Sequence, residues 1–186
     1  MASGSQEIEI KLAIPDAPFG RLLLRQAGFT VARRRVFECN IVFDTARLAL
    51  RKTRRLLRVR QVAGQTRLTY KGAPLVARHK SREELEMPLD APDVFVAILD
   101  RLGYRPTFRY EKYRTTYHEA GVAGEIVLDE TPIGVYLELE GSPRWIDRTA
   151  RRLGFHQSDY ITASYGRLYL DWCRQHRVKP RDMVFC

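Results

Sequence analysis

The chain has 186 residues, 45% of them hydrophobic, which is enough for a core and excludes wholesale disorder. Its 32 Lys and Arg against 22 Asp and Glu leave a formal charge of +10, which suits a nucleic-acid surface, a polyphosphate enzyme or a generally basic protein. No apolar run approaches the roughly 18 residues of a membrane span, MASGSQEIEIK lacks a basic-then-apolar leader, and Cys39, Cys173 and Cys186 form no CxxC pair; a soluble, cytoplasmic chain without disulfide framework or zinc site is expected.

Residues 5–14 alternate, with Glu7, Glu9 and Lys11 on one parity and Ile8, Ile10 and Leu12 on the other, the period of a strand with a polar and an apolar face. Pro15-Asp16-Ala17-Pro18 breaks it, and a short helix carrying Phe19, Leu22, Leu23 and Ala27 runs to Gly28. Residues 30–43 form a long strand ending in Phe43-Asp44-Thr45. Residues 56–62 and 66–71 flank Ala63-Gly64-Gln65 as a hairpin, and 83–87 is a further strand closed by Pro88. A helix over 94–102 takes Asp90 or Asp93 as its cap and stops at Gly103. Three more alternating strands follow at 108–118, 125–129 and 135–140. Ser142-Pro143 starts a helix that ends at Gly154, and 162–176 reads as the last helix, with a frayed basic tail at 177–186. The expectation is one antiparallel α+β domain of about eight strands.

The polar parity is charged almost throughout. Glu7 and Glu9, Glu84 and Glu86, and Glu138 and Glu140 are alternate carboxylates, while Arg58 with Arg60, Lys112 with Arg114, and Lys71 supply cations. Ordinary solvated faces mix Thr, Ser, Gln and Lys and have no need of so many paired carboxylates. A sheet with an apolar outer and a charged inner face closes into a barrel with a charged lumen. Alternate carboxylates are oxygen ligands for Mg²⁺ or Mn²⁺, and Arg and Lys match a polyphosphate, the components of phosphoryl transfer. His79, His118, His156 and His176 are scattered without zinc spacing and read as exposed or interfacial, and no GxSxG, P-loop or GxGxxG is present. Tyr110 to Tyr117 could stack RNA bases, but a carboxylate-rich face repels a phosphate backbone, so a nucleic-acid partner is disfavoured.

Glu7-Ile8-Glu9-Ile10-Lys11 at the first strand resembles the ExExK signature of the CYTH superfamily, the triphosphate tunnel metalloenzymes. Phe43-Asp44-Thr45, Leu57-Arg58-Val59-Arg60, Thr69-Tyr70-Lys71-Gly72, Arg82-Glu83-Glu84-Leu85-Glu86, Glu111-Lys112-Tyr113-Arg114, Leu128-Asp129, Glu138-Leu139-Glu140-Gly141 and Ser164-Tyr165 follow in the family's order. The resemblance covers about residues 6–170 and implies one tunnel domain over 1–186: an eight-stranded antiparallel closed barrel with flanking helices. It implies Mg²⁺ or Mn²⁺ held by Glu7, Glu9, Glu138 and Glu140, with Asp129 on the same wall. Lys11, Arg58, Arg60, Lys71, Lys112 and Arg114 would bind the triphosphate and act in catalysis. Glu84 and Glu86 would serve a second metal or a water, and Arg167 is a weaker helix contact or an ordinary surface residue.

The implied activity is triphosphate hydrolysis on tripolyphosphate, a nucleoside triphosphate or thiamine triphosphate. The alternatives are class IV adenylate cyclisation and non-catalytic binding of polyphosphate or RNA. Ala2-Ser3-Gly4-Ser5 stands where those cyclases carry a His-Phe pair, which favours hydrolysis. A small-molecule triphosphate is the expected partner, and a homodimer stays open. Six converging cations would repel one another, so charge reversal at Arg58 or Lys71 is expected to abolish activity with the fold intact or slightly stabilised.

Overall fold

A computed structural model describes residues 5–75 and 78–185; Ala2, Ser3, Gly4 and Cys186, singled out above, lie outside the described residues. The alternating segments form strands β1 (Ser5–Ile14), β2 (Thr30–Thr45), β3 (Leu56–Val62), β4 (Gln65–Lys71), β5 (Lys80–Pro88), β6 (Tyr104–His118), β7 (Glu125–Thr131) and β8 (Gly134–Glu140). They close in the order β1-β5-β4-β3-β2-β6-β7-β8, with β8 returning to β1 and every pairing antiparallel. Helices α1 (Ala17–Gln26), α2 (Ala49–Lys52), α3 (Pro92–Arg101), α4 (Pro143–Arg152) and α5 (Tyr165–His176) flank the barrel. The α+β closed-barrel expectation holds, and no described helix is long and apolar enough to cross a membrane.

The core lies outside the barrel. Ile10, Leu12, Ile126, Leu128, Leu137 and Leu139 are fully buried, packed with Leu24 of α1 and Trp145 and Ile146 of α4. Each such side chain contributes about 1.5–3 kcal/mol on leaving water. Buried Phe43, Val59 and Leu99 form a second cluster beneath α3. The apolar parity turns outward to the helices, which frees the charged parity for the lumen. Trp145 seats against Gly124, whose φ of +133° and lack of side-chain volume both matter: a Cβ there would lie 2.5 Å from the indole.

Several elements differ from the expectation. β5 begins at Lys80 because Lys80 and Arg82 continue the inner parity and pair with Glu9 and Glu7 of β1. β6 begins at Tyr104, paired with Thr45. The residue before α3 is Ala91, with no side-chain cap from Asp90 or Asp93. The last helix starts at Tyr165, where Ser164 accepts from the Arg167 N–H. His79 is buried, not exposed: its Nε2 lies 2.8 Å from Asp147. The tail is docked. β6 outruns β7, and the bare edge at Arg109 to Glu111 is taken up by Met183, which bonds both backbones at 2.9 Å and is itself buried. Ile161 likewise bonds Lys11 on the edge of β1 beyond β5, so the segment after α4 seals two gaps at one end of the tunnel.

Candidate active site

The inner parity of the strands brings Glu7, Glu9, Lys11, Arg58, Arg60, Lys71, Lys112, Arg114, Glu138 and Glu140 onto one cavity of about 1050 Å³. All ten are residues that the sequence singles out. β1 and β8 run side by side with Glu9 opposite Glu140 and Lys11 opposite Glu138. β3, β4 and β6 carry the remaining cations on the facing wall.

These charges form two chains of alternating sign. In one, Arg82 meets Glu7 at 3.3 Å, Glu7 meets Lys71 at 2.5 Å, Lys71 meets Glu84 at 3.1 Å and Glu84 approaches Arg58 at 3.9 Å. In the other, Lys80 holds Glu9, and Lys11 bridges Glu9 at 3.3 Å and Glu138 at 3.0 Å. Arg114 joins Glu138 to Asp129, Lys112 reaches Asp129 at 2.7 Å and Glu38 at 3.7 Å, and Glu38 ends on Arg60 at 3.6 Å. Both chains begin and end on a cation.

The expected repulsion among lumen cations is therefore corrected. Each has a carboxylate beside it, so reversing Lys71 would set a new carboxylate against Glu7 and Glu84. Asp129 stands behind the cavity as a counter-ion: it grips Arg114 at 2.7 and 2.6 Å and accepts from Tyr165 Oη at 2.8 Å. Glu84 is likewise a counter-ion. Glu86 sits near the other end of β5, 3.9 Å from Arg67, with both side chains part-exposed. Arg167 is on the rim and exposed, paired with Asp171.

Burial and neighbours set the protonation of the group. Burial pushes Glu38 up, but Lys112, Arg114 and Arg60 outweigh it and hold it down to about 2. Burial likewise opposes the ionised forms of Glu9 and Glu138, yet Lys11 beside both keeps them below the usual carboxylate range. Lys80 is brought down to about 8 by burial and by Lys11. Glu140 stands apart. Desolvation at the cavity wall, then Glu7 and Glu9, push it up to about 7, although the residue keeps an exposed face, and among the described residues no cation pairs with it.

Among the described residues no three acidic, His or Cys side chains yet gather into an ion cage. The donor set nevertheless fits a hard divalent cation. Glu7, Glu9 and Glu138 all press charge onto Glu140, every donor is a carboxylate oxygen, and an added cation would relieve that crowding.

Lys80, Glu38 and Asn40 are not singled out by the sequence, and Arg82, Tyr110 and Tyr165, which stand in segments quoted above, have no lumen role there. Extending β5's alternation back three residues gives Lys80 and Arg82. Glu38 and Asn40 share the parity opposite Lys112 and Tyr110. Asn40 accepts from Arg60 Nε at 3.1 Å, and its own Nδ2, like Arg58 Nε, is buried without a partner. Arg58 donates to Tyr110 Oη and Thr69 Oγ1, both at 3.1 Å.

Residues 5–165 match the CYTH domain. A Methanocaldococcus jannaschii protein named as a candidate adenylate cyclase is 30% identical over 136 residues, 73% of this chain and 77% of that one. A Pyrococcus horikoshii structure superposes with a TM-score of 0.75 at 26% identity, covering 89% of this chain and 98% of its own. A Hippeastrum structure, titled as a candidate adenylyl cyclase with a dominant triphosphatase activity, superposes with a TM-score of 0.64 at 22% identity, covering 94% and 98%.

Proposed function

The chain belongs to the CYTH domain family, and on that premise we propose that it is a divalent-metal-dependent triphosphatase cleaving the terminal phosphoanhydride of a small triphosphate in its lumen. One observation carries the reading: four carboxylates on the β1–β8 seam face cations of β3, β4 and β6 across a single cavity.

The reaction on this chain's own residues is an exchange of partners. A triphosphate entering the lumen takes Lys71, Arg58 and Lys112 from Glu7, Glu84 and Asp129, and takes Lys11 and Arg114 from Glu138. Arginine grips phosphate bidentately, and the unpartnered Arg58 Nε and Asn40 Nδ2 are donors ready for it. Glu7, Glu9, Glu138 and Glu140 would hold the metal, which when bound polarises phosphate oxygens and offsets their charge. Glu84, raised above its usual value by burial and released from Lys71, would orient the attacking water and accept its proton. Because the lumen is walled by fixed charges, little reorganisation remains for the transition state.

The M. jannaschii relative's name favours a second reading, cyclisation of ATP to cyclic AMP and pyrophosphate. Phosphorus NMR of products from tripolyphosphate, ATP and thiamine triphosphate with Mg²⁺ or Mn²⁺ separates the two. Orthophosphate release that chelation stops is the expected result. Cyclic AMP with pyrophosphate would replace this reading, and no turnover of any triphosphate would end it.

A further inference from the structure

At one end of the tunnel the charge pattern changes. Asp44, at the end of β2, is only 3% exposed, and its carboxylate accepts from the backbone N–H of Thr45 at 2.7 Å and of Leu50 and Arg51 at 2.9 Å. It ties the turn between β2 and β3 to the barrel. Leu48 and Arg54, at either end of this turn, both hold positive φ, 54° and 60°, without being glycine. Such backbone persists where the surroundings enforce it. The held turn sets Arg51, Arg54 and Arg55 on the cavity rim, and Arg181 of the docked tail joins them.

These four arginines differ from the lumen cations, and from the rim residue Arg167, which pairs with Asp171. Among the described residues no carboxylate lies within ion-pair distance of Arg51, Arg54, Arg55 or Arg181, whereas every lumen cation has one. Of the carboxylates lining this end, Asp182 accepts from the Arg109 N–H and Asp44 from the backbone of the turn. Three arginines within five residues, held by a buried tether and left unneutralised, suit an anion.

Two observations say which. The cavity, about 1050 Å³, is at the upper end of the roughly 300–1,000 Å³ that takes a whole drug-sized ligand, so three phosphates leave room towards the rim. The aromatic rings there are engaged with one another. Of those that line the cavity, Phe108 stacks on Tyr110 and on Tyr169, both centroids 5.7 Å away, and Tyr169 stacks in turn on Trp172 outside the lining at 6.3 Å, so these rings already take up faces that a nucleobase would use.

We propose that the Arg51, Arg54, Arg55 and Arg181 rim is an anion subsite for the part of a linear inorganic oligophosphate lying beyond the three phosphates in the lumen, so that chains of four or more phosphates are the preferred ligands. This rests on the placement of a triphosphate in the lumen argued above.

The test is calorimetric binding of inorganic tripolyphosphate and of a longer linear polyphosphate in EDTA, to the wild-type chain and to an R54Q/R55Q double variant. The wild type should bind the longer chain about tenfold more tightly or better, about 1.4 kcal/mol, from two or more further arginine–phosphate contacts. In the double variant the ratio of the two affinities should collapse towards one. Equal affinities in the wild type would overturn the proposal, as would a ratio that survives the double substitution. Tighter, Arg54- and Arg55-dependent binding of ATP or of a 5′-triphosphorylated RNA than of the polyphosphate would overturn it too, and give the rim to a nucleotide. Binding in EDTA needs no turnover, so a failure to hydrolyse bears on the hydrolase reading alone.

Discussion

Lys71 lies 2.5 Å from Glu7 and 3.1 Å from Glu84 with its side chain almost wholly buried, and this decides what its replacement does. Breaking a buried pair leaves an uncompensated charge and costs about 3–5 kcal/mol. Lys71→Glu should lower the melting temperature by about 10 °C as well as stop phosphate release; an unchanged melt would show that the pair contributes nothing. Glu140 gives a pH signature of definite sign. Its carboxyl is raised from 4.5 to about 7 in the folded chain, so its ionisation is opposed by the fold and stability falls as pH rises through that window. Metal uptake below pH 7 should therefore release a proton, seen as a calorimetric heat that varies with buffer ionisation enthalpy, and Glu140→Gln should remove that dependence. Glu38 has the opposite sign. Depressed from 4.5 to about 2, it contributes stability above pH 4.5 that is lost as pH falls towards 2, and a Glu38→Gln melt should flatten the acid limb.

Among the elements, the two long strands of the barrel explain the fate of the C-terminus. β6 spans Tyr104–His118 against Glu125–Thr131 for β7, so part of its edge needs another partner, and the Met183 strand-like contact supplies it. Met183→Ala should cost about 2–5 kcal/mol by opening a cavity beside Tyr110 and Tyr169, read as a lower denaturant midpoint. This docking was not legible in the sequence, because what holds the tail is a gap in a ladder some seventy residues upstream. The barrel strands were legible: Ile8, Ile10 and Leu12 against Glu7, Glu9 and Lys11 define two faces without any tertiary knowledge. The α2 turn was not. Leu48 and Arg54 take left-handed backbone that glycine normally marks, and the tether from Asp44 replaces that local signal. Lys80 and Arg82 precede the apolar alternation of 83–87, and it is their pairing with Glu9 and Glu7 of β1 that extends the strand back to them.

Across the whole molecule the lumen is a set of ion pairs awaiting exchange. A metal alone must pull Glu7, Glu9 and Glu138 from their cations, and a polyanion alone must pull the cations from them. Each therefore lowers the cost of binding the other. The rise in melting temperature with Mn²⁺ and tripolyphosphate together, after correction for their complex in solution, should exceed the sum of the separate rises; simple additivity would refute the exchange. The β1–β8 seam has a further consequence, for the order of events on the ribosome. Glu9 pairs with Glu140, so β1, made before the other barrel strands, can pair with β5 but keeps its other edge bare until β8 follows. During that wait an amphipathic segment with an unpaired edge is exposed. Sealing the seam is a long-range closure of the kind that makes refolding slow, and a nascent chain stalled short of β8 has Glu7, Glu9 and Lys11 in place without the strand that closes the barrel.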